Sequence, residues 1–597
     1  MGVESFGIEK EFLKDLLTQV DKGEAQLPEF QRGWVWPDRN IVALIASISL
    51  GYPAGTVMML KQGGDVRFKT RPVEGAPHSV AVPDRLILDG QQRLTSLYQS
   101  LFSDSSVKTH DVRNKATRGW FYIDMEKALL GDGDREDAVV FVPESKVRVD
   151  FRGHALVDLS SPEQEYANRM FPCTAVFNSM QWMMGFVQHS PERQQENLTL
   201  WSRFHEAVVR RFEQYQLPVI ELGKSTPRQA VCQVFEKVNT GGVTLTVFEL
   251  LTATFAADDF DLRRDWVDRR AQWSGGPYRI LAEVANTDFL QAVTLLATHE
   301  RHQAAVEGGR DEIAAPRIGC RRADMLNLAL SEYRKWAPTV TGGFKSAAQF
   351  LHSQHIFDTR FLPYGSQLIP LAAIFALLGG KAETVGARRK ISRWYWSGVF
   401  GELYGGTTET RFARDVPEVV AWVTGRGGEP RTVQEAQFFA SRLRSLRTRG
   451  SAAYKGIYAL LLQAGPVDWG TGSDMSDENY FDNAVDIHHV FPKVWCERRG
   501  IVPGDYNSIL NKTPLTARTN RLIGGRAPSV YLRGLTRTAD TTPGQVDRNV
   551  QSHLISAIAL RRDDFDAAMS ARQDALLRLV GEAMGKDPQI DVDQVDS

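Results

Sequence analysis

Residues 86–94 read LILDGQQRL, an apolar triplet that runs through an Asp-Gly turn into a segment with helical periodicity, QQRLTSLYQSLF at 91–102. Consecutive apolar residues suit a strand covered on both faces, and a strand–turn–helix unit is typical of mixed α/β folds. The runs TVMML (56–60) and QLPVIEL (216–222) predict further strands, whereas IEKEFLKDLLTQV (8–20) predicts a helix. We therefore expect a mixed α/β domain in this part of the chain.

The length of the chain predicts several domains, because 597 residues exceed what one hydrophobic core usually holds. Residues 1–260 carry the α/β pattern, residues 261–470 are almost entirely helical in periodicity, and residues 471–597 mix strand and helix signals. Gly-rich breaks at 425–428 and 465–473 are the clearest linker signals. The predicted fold class is multidomain α+β with a helical middle region.

The composition is that of a folded protein, with 43% apolar and 24% charged residues. Lys and Arg (71) nearly balance Asp and Glu (72), which excludes a globally basic nucleic-acid binder but not a local basic groove. The four cysteines form no CxxC pair, so we expect neither a Cys-rich zinc site nor a disulfide framework. The segment MGVESFGIEKEF has no apolar signal region, and LIPLAAIFALLGG (368–380) is shorter than a membrane span. We expect a cytoplasmic protein that does not associate with membranes.

The Asp-Gly turn carries the first candidate site. A junction of this kind aims free backbone N–H groups and the positive helix end at one point, where an anion is favoured. Arg93 in the first turn can add a bidentate contact to a phosphate, and Asp89 could hold Mg²⁺ or a ribose hydroxyl. The alternative is that Asp89 merely caps the helix while Gly90 makes the turn.

Two further stretches accompany it. LPEFQRGWVW at 27–36 places the donors Gln31 and Arg32 beside aromatic residues, and VFEKVNTGGVTL at 234–245 contains Asn239 ahead of two glycines. The three stretches together resemble the ParB-like N-terminal domain of GmrSD-type restriction proteins, over roughly residues 8–260. Its hallmarks are Phe-Gln-Arg, Asp-Gly-Gln-Gln-Arg and Phe-x-x-x-Asn-x-x-Gly.

The resemblance implies a domain that binds and hydrolyses GTP or another nucleoside triphosphate and senses modified DNA. No Walker-type GxxxxGK[ST] occurs in the sequence, so the NTPase role depends on the resemblance. The nucleotide-binding residues that it implies are Asp89, Gly90, Gln91, Gln92, Arg93 and Asn239.

The DNA mark is not specified by the sequence. Relatives in this family sense glucosylated or hydroxymethylated cytosine, and SspE-like relatives sense backbone phosphorothioate. Because sulfur is larger and less well hydrated than oxygen, an aromatic wall would suit it, and Phe30, Trp34 and Trp36 beside Gln31 and Arg32 could supply one. The alternative is that these aromatic residues belong to the core.

A second candidate site lies near the C-terminus. VDIHHVFPKV at 485–494 is followed by SILNKTPLTARTNRLIGG at 508–525, which places Asn511 and Asn520 at 22 and 31 residues after His489. A ββα-metal nuclease needs a strand histidine that deprotonates water, and ligands that hold one divalent ion against the scissile phosphate. A neutral imidazole suits the base because its unperturbed pKa lies near neutrality.

This logic predicts His489 as the general base, and His488 and Asn520 as ligands of Mg²⁺ or Mn²⁺. Asn511 would orient the loop or the base imidazole, and Asp486 would be a further ligand or a partner of His488. The alternative is a surface His-His pair among ordinary loop asparagines. The segment also resembles the HNH nuclease half of GmrSD-type enzymes, but it has His488 where an acidic residue is often found, and no zinc-knuckle cysteines.

Basic residues suggest where a DNA backbone would lie. Lys493 and Arg521 flank the HNH motif, and SRLRSLRTRG at 441–450 contributes Arg444 and Arg447 just ahead of it. ARRKISRWYW at 387–396 interleaves cations with aromatics, which suits nucleic acid but is also typical of a core helix with a solvated basic face.

The leading hypothesis is a modification-dependent, type IV-like restriction endonuclease or nickase that defends against phage and is regulated by nucleoside triphosphate. Its partners would be modified phage or plasmid DNA and the nucleotide, and self-association into a homo-oligomer is left open. Two alternatives are a nucleotide-dependent DNA-binding switch with an inactive nuclease segment, and an RNA-cleaving toxin that aborts infection.

Overall fold

The structure is a computed structural model. It describes residues 7–31, 33–34, 36–64, 67–78, 82–111, 115–130, 134–149, 155–227, 230–231, 234, 246–273, 275–406, 408–475, 486–538 and 541–590. The chain divides into two compact units, residues 1–262 and 263–597, each of which is described by itself. The multidomain α+β class is confirmed. The finer division at residues 260 and 470 stays a prediction.

The N-terminal unit is built on a six-stranded mixed sheet with the strand order β1-β12-β3-β5-β2-β4. Its strands are β1 (Gly7–Phe12), β2 (Ala25–Pro28), β3 (Val57–Lys61), β4 (Thr70–Arg71), β5 (Arg85–Asp89) and β12 (Gln216–Leu222). Strand β5 lies between β3, which is antiparallel to it, and β2, which is parallel. Both strands predicted near β5 are therefore confirmed, at 57–61 and 216–222.

The predicted helix over 8–20 begins later than expected. Residues 7–12 form β1, which pairs antiparallel with β12, and only Leu13–Asp21 is helical. An edge position in the sheet overrode the helical periodicity of IEKEF, because backbone pairing with β12 satisfies its N–H and C=O groups.

Smaller sheets and several helices complete this unit. A second sheet contains β6 (Val107–His110), β7 (Ala116–Asp124), β8 (Val139–Pro143) and β11 (Met170–Pro172), and β9 (Val147–Val149) pairs with β10 (Ala155–Asp158). The helices are α1 (Leu13–Asp21), α2 (Asp38–Ser49), α3 (Gln91–Leu101), α4 (Arg135–Ala138), α5 (Pro162–Ala167), α6 (Ser179–Gln188), α7 (Gln194–Phe204), α8 (Arg210–Glu213) and α9 (Val247–Ala256), with a π-helical turn at His205–Val209. Buried aliphatic side chains of α1, α2 and α3 pack on the sheet and form the core.

The C-terminal unit is mainly helical. Its first helices are α10 (Leu262–Ala271), α11 (Asn286–Glu307), α12 (Arg322–Leu326), α13 (Leu330–Ser353), α14 (Leu368–Leu378), α15 (Val385–Phe400), α16 (Glu409–Val423), α17 (Arg431–Glu435), α18 (Arg442–Ser445) and α19 (Ala452–Gln463). Helix α14 is apolar all round and is surrounded by α11, α13 and α16. Among the described residues, one stretch, Gly365–Glu383, is long and apolar enough to cross a membrane, and 61% of it is buried inside the protein, as in a core helix.

A short β-ladder lies towards the end of the chain. It consists of β13 (Asp486–His489) and β14 (Lys512–Leu515), and it is followed by α22 (Ala517–Ile523). The other helices here are α20 (Lys493–Arg498), α21 (Pro503–Tyr506), α23 (Pro528–Thr538), α24 (Pro543–Ser552), α25 (Ala557–Arg561) and α26 (Phe565–Met584). Trp469, Phe491, Tyr531 and Leu560 belong to the hydrophobic cluster beneath the ladder. Helix α26 packs along α15 and α19 and so joins this region to the helical part of the unit.

Helices α13 and α14 pack closely at Gly343. A Cβ atom there would lie 2.3 Å from the carbonyl oxygen of Ala372, whereas one on the adjacent Gly342 would meet nothing within 4 Å. Gly343 therefore permits a close backbone contact, and Gly342 only weakens the helix.

We expect Gly343→Ala to lower the free energy of unfolding of the C-terminal unit by about 1–3 kcal/mol, because the added methyl group must push two buried helices apart. Gly342→Ala is the matched control and should raise it by up to about 1 kcal/mol through helix propensity. Thermal unfolding of the full chain measures both. Equal shifts of the two midpoints would contradict the close approach.

Candidate functional site

The two histidines lie at the end of β13. In the β13–β14 ladder His488 is opposite Thr513 and His489 is opposite Lys512. The chain then turns through Thr516, whose side chain caps α22 by accepting a hydrogen bond from the backbone N–H of Thr519. The strand–strand–helix order that the HNH motif requires is therefore present, and it brings His489 and Asn520 into one substructure.

His489 is positioned and kept neutral by its surroundings. Its Nε2 lies 3.1 Å from Oδ1 of Asn507, and the ring is half-buried next to Tyr506. Burial lowers the pKa of His489, and the charges of Lys512 and Lys493 lower it further, while the bond to Asn507 opposes the shift. With Nε2–H donated to Asn507, the lone pair of the neutral ring is on Nδ1.

Asn511 supports the loop between the two strands. Its side chain is fully buried; Oδ1 accepts from the backbone N–H of Phe491 at 2.7 Å, and Nδ2 donates to the carbonyl oxygens of Phe491 and Tyr506, both at 2.9 Å. Of the two roles considered from sequence, the structure shows the contact with the loop. The contact with the imidazole comes from Asn507, which no sequence pattern distinguishes from other loop asparagines.

The predicted metal ligands are only partly described. His488 and Asn520 are half-buried, and among the described residues the side-chain amide of Asn520 has no hydrogen-bond partner. The side chain of Asp486 lies outside the described residues. In the described part of the chain, no three His, Cys, Asp or Glu side chains cluster closely enough to hold a metal by themselves.

A buried carboxylate anchors α22. Asp468 is fully buried; Oδ1 accepts from the Thr519 hydroxyl at 2.6 Å and from the Thr471 N–H at 2.9 Å, and Oδ2 accepts from the Thr516 N–H at 3.2 Å. Burial opposes ionisation of Asp468, but these hydrogen bonds outweigh it and lower its pKa. An ionised group thus fixes the helix that carries Asn520.

A buried histidine supports β14 from below. Nε2 of His553 lies 2.8 Å from the carbonyl oxygen of Val467, and Nδ1 lies 2.7 Å from the Thr513 hydroxyl. Only a neutral ring with its proton on Nε2 donates to the carbonyl and accepts from the hydroxyl. Burial lowers the pKa of His553 to about 3.

Two lysines, Lys512 and Lys493, lie near His489. Lys512 donates from Nζ to the carbonyl oxygen of Arg447 at 2.6 Å, and burial, together with the charge of Arg449, lowers its pKa. The N–H of Ile509 bonds to the carbonyl oxygen of Leu446 at 2.8 Å. The segment 441–450, which we call the basic segment, therefore lies against the site, as its sequence position suggested.

The predicted DNA-backbone residues differ in their partners. Lys493 lies 3.7 Å from Glu497, and Nε of Arg444 lies 3.4 Å from Gln573. Arg447 and Arg521 are exposed. The other basic stretch, 387–396, buries Trp394, Tyr395 and Trp396 in the core, which favours the structural interpretation of its aromatics.

The Asp-Gly junction in the N-terminal unit has the predicted shape. Strand β5 ends at Asp89, Gly90 adopts a φ of +89° as the N-cap residue, and α3 begins at Gln91 without a side-chain cap. The alternative of Asp89 as a helix cap is therefore not what the structure shows. Asp89 instead pairs with Arg93 at 3.4 Å, and Arg93 donates to the carbonyl oxygen of Thr56 at 2.6 Å.

A residue missed by the sequence analysis shapes this site. Gly55 has a φ of +88°, and a Cβ atom there would lie 2.1 Å from Nη1 of Arg93. Tyr215 secures the loop, because its hydroxyl donates to the carbonyl of Tyr52 at 2.6 Å and accepts from the N–H of Ala54 at 2.8 Å. Only the spacing Gly51-Tyr52-Pro53-Ala54-Gly55, ahead of a predicted strand, hinted at a shaped loop.

The residues predicted to sense a DNA mark make contacts with different parts of the N-terminal unit. Phe30 packs edge-on against Phe68, and Gln31 donates from Nε2 to the carbonyls of Ile87 and Leu88 at 2.8 and 3.1 Å. Trp34 donates from Nε1 to the Ser96 hydroxyl at 3.0 Å and lines a cavity of about 1460 Å³.

Two more residues of the predicted nucleotide site, both glutamines, lie at the start of α3. Gln91 is buried at the start of α3, and Gln92 donates from Nε2 to the carbonyl of Gly33 at 3.3 Å. The predictions for Arg32 and Asn239 lie outside the described residues.

Comparison with known proteins relates the N-terminal unit to a restriction-endonuclease family. Residues 13–256 match the family described as the N-terminal domain of the GmrSD restriction endonuclease. Over 557 residues the chain is 26% identical to the uncharacterized protein MJ0686 of Methanocaldococcus jannaschii, covering 87% of this chain and 86% of that protein. The resemblance inferred from the N-terminal motifs is thus confirmed for the GmrSD-type domain, and it supports a restriction-endonuclease-type protein with DNA as its substrate.

We expect the stability of the C-terminal unit to fall as the pH decreases below 6.5. The unfolded chain binds a proton at His553 near pH 6.5, whereas the folded state binds it only near pH 3, so unfolding takes up a proton between these values. At pH 4.5 this proton uptake lowers the free energy of unfolding by about 2–3 kcal/mol. Urea unfolding of wild type and His553→Gln at several pH values measures it: the variant should be less stable at pH 7.5 but have a flatter pH dependence. Parallel profiles would contradict the assignment.

Proposed function

We propose that the protein is a nucleotide-regulated, modification-dependent restriction endonuclease or nickase, in which residues 486–525 form the HNH nuclease site. The observation that carries this proposal is His489: a half-buried imidazole with a lowered pKa, fixed through Nε2 by Asn507 at the end of a two-stranded ladder, with two lysines nearby. A ring that stays neutral at physiological pH can accept a proton from water.

The site's own residues suit phosphodiester hydrolysis. Nδ1 of His489 takes the proton of the attacking water, and Nε2–H bonded to Asn507 prevents the ring from turning away. Lys512, directly across the ladder, and the basic segment hold the phosphate backbone. Asn511 keeps the loop that carries Asn507 in register with β13.

A divalent ion fits the donors that are present. His488, Asn520 and Asp486 would hold Mg²⁺ or Mn²⁺, because carboxylate and amide oxygens suit both ions and an imidazole tolerates Mn²⁺. The amide of Asn520, which has no other partner among the described residues, is available for this purpose. The ion would supply stabilisation of the charge that develops on the scissile phosphate.

The N-terminal unit would bind GTP or another nucleoside triphosphate at the β5–α3 junction. Gly90 opens the start of α3, where backbone N–H groups favour an anion, and Arg93 lies across Gly55 beside it. Asp89 would bind the nucleotide's Mg²⁺ or ribose, and Asn239 would complete the set. Arg93 would exchange its contact with Asp89 for one with phosphate.

The mark on the DNA would be read next to Trp34. Among the four residues proposed for sensing, Trp34 lines a large cavity, together with Trp120, Glu74 and Lys108. The two tryptophans offer surfaces on which a base can stack, and the polar and charged side chains that form most of the lining can bond to it. Phe30 and Gln31 would shape the neighbouring backbone, because both are engaged with protein groups.

We expect His489→Ala to cut plasmid DNA at least about 100-fold more slowly than wild type in Mg²⁺ or Mn²⁺, because the general base is removed. The assay compares modified and unmodified plasmids with and without GTP or ATP, and His302→Ala is the matched histidine control in the same unit. Undiminished cutting by His489→Ala would refute the site. Cleavage of tRNA but not of DNA would favour an RNA-directed toxin. DNA that stays intact under every condition would favour a DNA-binding switch.

We expect Gly55→Ala to weaken nucleotide binding by about tenfold or more, because the methyl group displaces Arg93 from the α3 N-terminus. Arg93→Ala should have a similar effect, and Gly7→Ala, where a Cβ atom meets nothing within 4 Å, is the matched control. Titration calorimetry with GTP and ATP measures the affinities. If Gly55→Ala and Arg93→Ala bind like wild type, the nucleotide site lies elsewhere.

A further inference from the structure

A second cavity lies in the C-terminal unit, and the nuclease site makes no use of it. Its volume is about 900 Å³, within the range of small-molecule sites. Helices α15, α19 and α26 and the end of α16 form its walls, so it lies wholly within this unit.

One face of α15 supplies the cations of this cavity. Gly386, Arg389, Lys390 and Arg393 follow one another at positions i, i+3, i+4 and i+7, the spacing of a single helix face, and all four line the cavity. The basic stretch found in the sequence thus turns its aromatics into the core and its cations towards a concave surface.

Most of these cations lack a carboxylate partner. Arg393 pairs with Glu429 and donates to the carbonyl oxygen of Met584 at 2.9 Å. Lys390 donates to the carbonyl oxygen of Trp422 at 2.6 Å, and Arg389 is exposed with no hydrogen-bond or ion-pair partner among the described residues.

The charge balance of the cavity is positive. Three cations face two carboxylates, those of Glu429 and Glu582, so one positive charge remains. Gly386 lies in the first turn of α15, where backbone N–H groups have no intrahelical acceptor; the N–H of Ala387 donates to the Thr384 hydroxyl, which leaves the N–H groups before it. Cations, helix N–H groups and the indole of Trp422 together offer what a phosphorylated small molecule binds.

We propose that this cavity is a second ligand site, which binds a small polyphosphate anion of the size of a nucleoside di- or triphosphate. Arg389 contacts the terminal phosphate, Lys390 and Arg393 contact the inner one, and Gly386 leaves room for the anion at the helix end. A protein side chain at position 386 would narrow this approach.

The cavity is connected to the candidate nuclease site by one helix. Leu579 and Ala583 on α26 line the cavity, and Arg572 on the same helix donates from Nη2 to the carbonyl oxygen of Lys512 at 3.2 Å. Arg572 is almost fully buried, and its Nε and Nη1 have no partner among the described residues, so this bond is its link to β14. The wall of the cavity and the strand opposite His489 are thus joined through α26, and any effect of a bound anion on cleavage rests on the proposed nuclease function.

The binding test uses the full chain with Arg93→Ala, so that the N-terminal junction contributes least. Titration calorimetry with GTP, ATP and inorganic pyrophosphate compares this protein with the double variants that add Arg389→Ala or Arg388→Ala. Arg388 is the matched control, because it lies one residue away, pairs with Glu383 and does not line the cavity.

We expect Arg389→Ala to weaken pyrophosphate and nucleotide binding by about tenfold or more, and Arg388→Ala to leave it unchanged. Tighter binding of a nucleotide than of pyrophosphate would identify a nucleoside ligand. Equal affinities for the two would identify an inorganic polyphosphate. No binding by the Arg93→Ala protein, or equal binding by both double variants at equal thermal stability, would overturn the proposal. Since no DNA is present, failure of the nuclease proposal leaves this result intact.

Discussion

The buried carboxylate of Asp468 holds the C-terminal site together. It accepts hydrogen bonds from the Thr519 hydroxyl, from the backbone N–H of Thr516 just before α22, and from N–H groups in the loop at 468–472, so the helix and this loop share one acceptor. An ionised group buried in this way is stable only while its donors stay in place, because an unsatisfied buried charge costs several kcal/mol, on the order of 3–5 kcal/mol. The orientation of Asn520 therefore depends on a residue more than fifty positions earlier, and so does the geometry of any ion held between α22 and β13.

The sequence could predict the strands and turns that are determined by residues next to one another in the chain. The strand at 216–222 and the turn at Asp89-Gly90 follow from apolar runs and from the left-handed backbone that glycine permits. The contacts that position the chemistry join residues far apart: Arg93 with Thr56 over 37 residues, His489 with Asn507 over 18, and Thr519 with Asp468 over 51. No periodicity records such pairs, because they exist only after the chain has packed.

The proposed nuclease site depends on the basic segment as well as on its own motif. The backbone N–H of Ile509 and the side chain of Lys512 donate to the carbonyl oxygens of Leu446 and Arg447, which precede the motif by about forty positions. The carbonyl oxygen of Arg447 and the ring of Tyr454 compensate the partly buried ammonium group of Lys512 for its lost hydration. The last part of the chain, separated from the helical part, would lose both this acceptor and the arginines of the basic segment, which are proposed to hold a DNA backbone.

The place of α26 in the chain has a consequence for synthesis. This helix packs against α15 and α19, which are made much earlier, and its Arg572 reaches the strand opposite His489. Because chains emerge from the ribosome at about 5–20 residues per second, the strand pair is complete seconds before the helix that supports it. A nascent chain therefore carries the proposed catalytic motif without its supporting frame, and the proposed nuclease site is complete only after translation has passed α26.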